Sequence, residues 1–289
     1  MALINYIFGK GCLKNDTKRD AGKPLPTDLK EWKDLSYDKR YGKWGLLDVY
    51  RKDVDGPLPT IVVVHGGGYL YGTKEIYSRY AKALAHDGYV VICFNYPLAP
   101  GHRFPTQLYC LDEVLSFAKT HGAEWGADLS HVYLYGDSAG ANLSYVFGLV
   151  QSSEEYRKLF PGLRLDLRVN GLSLNCGLYS NLGTSEVSQT WWMWKYFLPR
   201  FSKKSDPRFQ TVCHIGPSFP PTYLMTSDGD FLHAENAPFK KRLEEAGVPL
   251  LYEDFVGKGE PLGHVFHLDV DTEDARKARF DSERFLASF

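Results

Sequence analysis

No run of about 18 or more apolar residues occurs in this sequence, which argues against a membrane-spanning helix. Charge of one sign is also missing. The 34 Lys and Arg stand against 35 Asp and Glu, a net charge of −1, with no long block of either. Neutralising phosphates needs a basic face, so nucleic acid is not an expected partner. Cysteine is scarce: Cys12, Cys93, Cys110, Cys176 and Cys213 are odd in number and form no C-x-x-C pair. None has metal-ligand spacing, so free thiols in a reducing cytoplasm are expected, with no metal. The stretch Met1 to Lys10 lacks a basic leader, and no small-x-small cleavage site follows, so no secretory signal is expected. Gly11-Cys12 is a poor lipid-attachment site because Lys10 precedes it. Repeats, low-complexity tracts and linkers are absent as well. The 289 residues, 44% of them hydrophobic, therefore read as a single domain with a substantial core.

What is present alternates. Up to about Lys43 the chain is polar and broken by Gly22, Pro24 and Pro26, and reads as one or two helical turns lying over the body. Leu46 to Tyr50 has strand periodicity. Thr60 to Val64 and Tyr89 to Phe94 are the continuous β-branched and aromatic runs expected of strands buried on both faces. Glu75 to Asp87 and Thr106 to Thr120 have helical spacing. Val132 to Tyr135 reads as a strand, Ala139 to Val150 and Leu149 to Leu159 as helix, and Leu167 to Leu174 as strand. Pro221 to Thr226 and Leu250 to Phe255 are further strands, with a helix over Ala234 to Ala246 and a last helix over Asp271 to Ser288. Strands alternating with helices imply an α/β fold, with a mainly parallel sheet and helices on both faces. The rhythm fails between residues 178 and 210, where Trp191, Trp192 and Trp194 fall close together. Half of those rings suit a core helix. The position suits a helical insertion that caps a site.

Two glycine-rich stretches follow strands. His65-Gly66-Gly67-Gly68-Tyr69 could cradle an anion with backbone N–H groups. Neither G-x-G-x-x-G nor a G-K-[ST] ending is present, so a nucleotide site is disfavoured. Gly136-Asp137-Ser138-Ala139-Gly140 places a serine in the frame G-x-S-x-G between a strand and a helix. That frame can be an ordinary tight turn. It can also be a strained elbow that presents Ser138 as a nucleophile. A serine hydroxyl is unreactive without a base, an acid that orients the base, and donors for the oxyanion. The chain offers each at a strand's end. For the base, His264 comes first, on the loop after the last strand. His267 and His233 are rivals, and His65 reads as an anchor for the glycine loop. For the acid, spacing leaves Asp228 and Asp230 open, with Glu235 just behind.

Together these stretches resemble the hormone-sensitive-lipase-like family of α/β-hydrolase carboxylesterases. The matching pieces are His65-Gly66-Gly67-Gly68-Tyr69, Tyr96-Pro97-Leu98-Ala99-Pro100 with Phe104-Pro105, Gly136-Asp137-Ser138-Ala139-Gly140, and Gly263-His264-Val265-Phe266. The likeness runs from about Asp48 to the last helix. It implies Ser138 as nucleophile and His264 as base. The family's acid pattern falls on Asp230-Phe231-Leu232 with Glu235 behind, which makes Asp230 the implied acid. The implied oxyanion donors are the N–H groups of Gly66, Gly67 and Ala139. Tyr69, Trp191 and Trp194 are the candidate substrate contacts, and residues 1–44 and 178–210 the candidate cap. The N-terminal part of that cap reads as short, which would leave the pocket open. Two departures stand out: Ser227-Asp228-Gly229 in the acid loop, and Lys258 to Leu262 before the histidine.

The implied activity is hydrolysis of short, acetyl-like esters in the cytoplasm, with no metal or organic cofactor required. Acetylated sugars, aromatic esters, amides or lactones would use the same machinery. A non-catalytic ligand-binding protein on the same fold is the reading from another class. The histidine in its motif speaks for catalysis.

Overall fold

The computed structural model describes residues 2–180 and 206–289, with side chains from Gly9 onward. Its centre is one eight-stranded sheet in the order β1-β2-β4-β3-β5-β6-β7-β8. The strands are β1 (Leu29–Ser36), β2 (Leu46–Lys52), β3 (Leu58–Val64), β4 (Val90–Phe94), β5 (Ala127–Asp137), β6 (Gly171–Asn175), β7 (Thr222–Ser227) and β8 (Leu250–Phe255). Pairs β1–β2 and β2–β4 are antiparallel, and all others are parallel. The β-branched runs lie where burial on both faces demands them: Ile61 to Val64 and Val90 to Phe94 are at most 1% exposed.

The described helices are α1 (Ala2–Asp20), α2 (Ser78–Asp87), α3 (Thr106–His121), α4 (Ala139–Ser152), α5 (Glu154–Arg157), α6 (His233–Glu245) and α7 (Glu273–Leu286). Alternate residues of the central strands feed two core layers. Val62, Val64 and Leu134 join Leu108, Leu111 and Val146 from α3 and α4. Ile61, Val63 and Tyr133 join Ala81 and Leu84 from α2 and Leu286 from α7. This two-faced sandwich is the α/β architecture expected from the alternation.

Three expectations change. The N-terminal segment carries a 19-residue helix and an edge strand rather than one or two helical turns. Strand β1 lacks clean alternation because its register slips between Trp32 and Leu35, where Asp34 takes φ +55°. The helix expected from Glu75 begins at Ser78, after a turn closed by Ser78 N–H donating to Glu75 O. The helix expected over Leu149 to Leu159 breaks at extended Ser153, whose Oγ accepts from Tyr156 N–H and starts α5. Most of 178–210 lies outside the described residues. Among the described residues, no helix is long and apolar enough to cross a membrane.

Candidate active site

The carboxyl ends of β3, β5, β6, β7 and β8 converge on one edge of the sheet, as parallel strands must. Strand β5 runs directly into α4 through Ser138, whose backbone sits at φ 51°, ψ −116°. That region is costly for a non-glycine residue and persists where the surroundings hold it. They do so here. Ser138 N–H donates to Asn175 O on β6 at 2.9 Å, and Asn142 N–H donates to Ser138 O at 3.1 Å. Glycine is required on either side because α4 crosses so close to β3 and β5. A Cβ on Gly140 would overlap the carbonyl of Val64, and one on Gly136 would overlap that of Gly140.

The elbow lifts Ser138 Oγ to 3.0 Å from His264 Nε2. On the other side of the ring, Nδ1 lies 2.6 Å from Asp230 Oδ1. With an N–H on Nδ1, the imidazole donates to the carboxylate and offers Nε2 as acceptor to the hydroxyl. Asp230 also accepts from Thr226 Oγ1 at 3.0 Å and from Leu232 N–H at 2.9 Å. Burial alone would raise this carboxyl. The hydrogen bonds and charge of His264 and its other donors outweigh that and hold it below its ordinary value, so it stays ionised. The structure thus separates the two loop aspartates. Asp228 Oδ1 accepts from Leu262 N–H at 2.8 Å and Oδ2 from Gly257 N–H at 3.3 Å. It ties down the loop that carries His264, including the extra residues Lys258 to Leu262.

The other histidines lie elsewhere. His233 pairs with Asp254 at the surface, 2.9 Å apart. His267 is buried against Tyr80, and burial together with His264 and Arg19 pushes its pKa down to about 3. His65 stacks on Tyr96 with ring centroids 3.9 Å apart and donates from Nδ1 to Gly66 O, 2.8 Å away. Tyr96 Oη donates to His65 O at 2.7 Å, so the Tyr-Pro-Leu-Ala-Pro stretch buttresses the glycine loop from behind. Glu235 accepts from Ser180 N–H at 2.9 Å, a scaffold contact.

Two expectations about the glycine loop are corrected. The Gly66 N–H does not face the serine; it donates to Tyr77 Oη at 2.8 Å, and Tyr77 Oη donates to Asp137 Oδ2 at 2.7 Å. The amides of Gly67 and Gly68 have no acceptor among the described residues, and both glycines line the cavity with Ser138. Tyr69 does not reach that cavity. It is 4% exposed and donates to Asn142 Oδ1 on α4 at 2.5 Å. Tyr71 lines the cavity instead, because a turn closed by Tyr71 N–H to Gly67 O swings it inward. Trp191 and Trp194 lie outside the described residues.

The cavity holds about 580 Å³. Beside Ser138 and His264 it is walled by Tyr71, Tyr77, Asp137, Phe231, Phe266 and, from α1, Cys12, Asn15, Asp16 and Arg19. Residues 1–44 were a candidate cap from the sequence, but the weak helix spacing did not mark which side chains of α1 would line the cavity. The lining charges are paired. Arg19 bridges Asp16 at 2.7 Å and Asp20 at 2.6 Å, Lys23 meets Asp269, and Tyr77 donates to Asp137. Burial pushes the Asp137 carboxyl up to about 7, against the lowering effect of Tyr77. Cys176, Asp230 and His264 bring potential metal-ligand atoms within 4.8 Å of one another among the described residues. Two of those atoms are already hydrogen-bonded to each other.

Comparison with known proteins fits this geometry. Residues 61–268 match the model of a family described by the α/β hydrolase fold. A putative α/β hydrolase of Acanthamoeba polyphaga mimivirus is 26% identical over 200 residues, 66% of this chain and 57% of that protein. The ethyl acetate hydrolase of Pseudomonas putida is 25% identical over 224 residues, 74% of this chain and 70% of that one. The crystal structure of esterase B from Lactobacillus rhamnosis superimposes with a TM-score of 0.86 at 22% identity, covering 100% of this chain and 94% of that one.

Proposed function

The chain belongs to the α/β-hydrolase family, and from that premise we propose that it is a serine carboxylesterase of the hormone-sensitive-lipase-like type, acting on small neutral esters. The observation that carries this reading is the hydrogen-bonded series Ser138 Oγ, His264 Nε2, His264 Nδ1, Asp230 Oδ1, with separations of 3.0 and 2.6 Å. Ser138 Oγ attacks the acyl carbon as His264 takes its proton. Asp230 keeps the imidazole in the useful tautomer and offsets the charge it gains. The carbonyl oxygen becomes an oxyanion facing the N–H groups of Gly67, Gly68 and Ala139. Gly68 replaces Gly66 in this role because the Gly66 amide is committed to Tyr77. One such donor is worth roughly 10²–10³ in rate. Collapse breaks the ester C–O bond, and the leaving oxygen takes the proton from His264. Water then repeats the sequence, freeing the acid and restoring Ser138.

A neutral substrate follows from the pairing of the lining charges, since an ionic ligand would find no unpaired partner there among the described residues. A relative named for ethyl acetate hydrolysis supports an acetyl-sized acyl group. The position of α1 against the cavity supports a part of residues 1–44 in the cap.

Ser138→Ala tests the reading. Hydrolysis of ethyl acetate should fall to the background rate, and covalent labelling by a fluorophosphonate should disappear. Hydrolysis that survives the substitution sinks the assignment.

A further inference from the structure

We infer that Phe231 is a platform for the alcohol half of the substrate, so that esters of aromatic alcohols are favoured over those of small aliphatic ones. This deepens the esterase reading and rests on it.

The backbone on either side of Phe231 is fixed. Asp230 is 5% exposed and Leu232 2% exposed, and Asp230 Oδ1 accepts from Leu232 N–H. Asp230 N–H in turn donates to Ser227 O at 3.0 Å. With both neighbours turned inward and pinned, the side chain between them is held outward on the lip of the site. Phe231 is 41% exposed, and it lines the cavity that contains Ser138. Its ring centroid lies 4.3 Å from that of His264, tilted by 46°.

Chemistry then says which half of the ester meets it. The proton held on Nε2 must reach the leaving oxygen, so that oxygen sits within hydrogen-bond reach of the imidazole. The group attached to the oxygen extends into the space beside the ring. Phe231 flanks that space, and Phe266 also lines it. An aromatic alcohol there can adopt the offset or edge-on arrangement that rings prefer. Ethanol leaves the Phe231 face wet.

Benzyl acetate and ethyl acetate test this, since they share the acyl group and have alcohols of similar basicity. The unaltered protein should favour benzyl acetate in kcat/KM. In Phe231→Ala the benzyl-to-ethyl ratio should fall roughly three- to tenfold, the worth of one aromatic contact. The loss should lie mainly in KM, and Phe231→Trp should restore the ratio. Equal losses on both esters, or a ratio unmoved by Phe231→Ala, overturn the inference while leaving the esterase reading intact. If the unaltered protein hydrolyses neither ester and Ser138 takes no fluorophosphonate, the esterase reading fails and takes this inference with it.

Discussion

At the scale of single residues, Tyr77 joins two parts of the site that come from different strands. Its hydroxyl accepts from the Gly66 amide of the glycine loop and donates to Asp137, the neighbour of Ser138. The whole link is buried, so each group it leaves unpaired would cost about 1–3 kcal/mol. Tyr77→Phe should therefore loosen the loop that presents the Gly67 and Gly68 amides. We expect kcat to fall on the order of tenfold to a hundredfold, with KM changing much less. Steady-state kinetics on ethyl acetate reads this split, and an unchanged kcat would show that the loop holds itself. Ser138 and His264 were legible because their motifs place them at strand ends. Tyr77 was not, because a tyrosine in the helical spacing of Glu75 to Asp87 resembles any core aromatic until Asp137 is seen beside it. Gly66 was misassigned for a related reason. Sequence shows three adjacent amides but not the direction in which each points.

At the scale of elements, the described side chains of α1, from Gly9 onward, attach mostly through polar groups. Tyr71 Oη donates to Asp16 at 2.8 Å, and Arg19 donates to Ile76 O at 3.3 Å. Just past the helix, Lys23 meets Asp269, and Arg79 reaches Pro24 O at 2.7 Å. Among the described residues, none from α1 belongs to the two main core layers. Partly exposed ion pairs contribute about 0–1 kcal/mol each. Asp16→Ala combined with Arg19→Ala should therefore lower Tm only slightly while loosening one wall of the cavity. KM for ethyl acetate should rise more than kcat falls; a collapse of Tm would instead show that these contacts are needed for folding. Buried strands β3 and β4 were plain from β-branched runs. Strand β1 and the length of α1 were not, since a slipped register and a polar composition erase the periodicities that reveal such elements.

At the scale of the whole molecule, buried titrating groups set how stability depends on pH. Burial raises Asp137 to about 7, while burial and nearby Asp87 raise Glu283 to about 8. Both carboxyls bind their proton more tightly folded than unfolded. Their contribution is present below the unfolded carboxylate range and is lost as pH rises through those values. Burial lowers His65 to about 4 and, with its charged neighbours, His267 to about 3, so these act oppositely below about pH 6.5. Above that value the histidines no longer contribute to the slope. Stability should thus decline from about pH 6.5 to 8, read as a falling urea midpoint. Glu283→Gln should flatten the decline, and an unchanged slope would rule out Glu283 as its source.

Sequence alone determined the architecture and the positions of the proposed nucleophile and base. These depend on local order: β-branched runs that must be buried, glycines that must flank a tight turn, and a histidine after the last strand. Tertiary structure decided which aspartate meets His264, which loop amides remain open, and what walls the cavity. Asp228 and Asp230 sit two residues apart on one loop, and only the path of the histidine loop past Leu262 separates an anchor from a partner. The amides and the wall likewise depend on contacts between segments far apart in the chain, where periodicity and spacing carry no information.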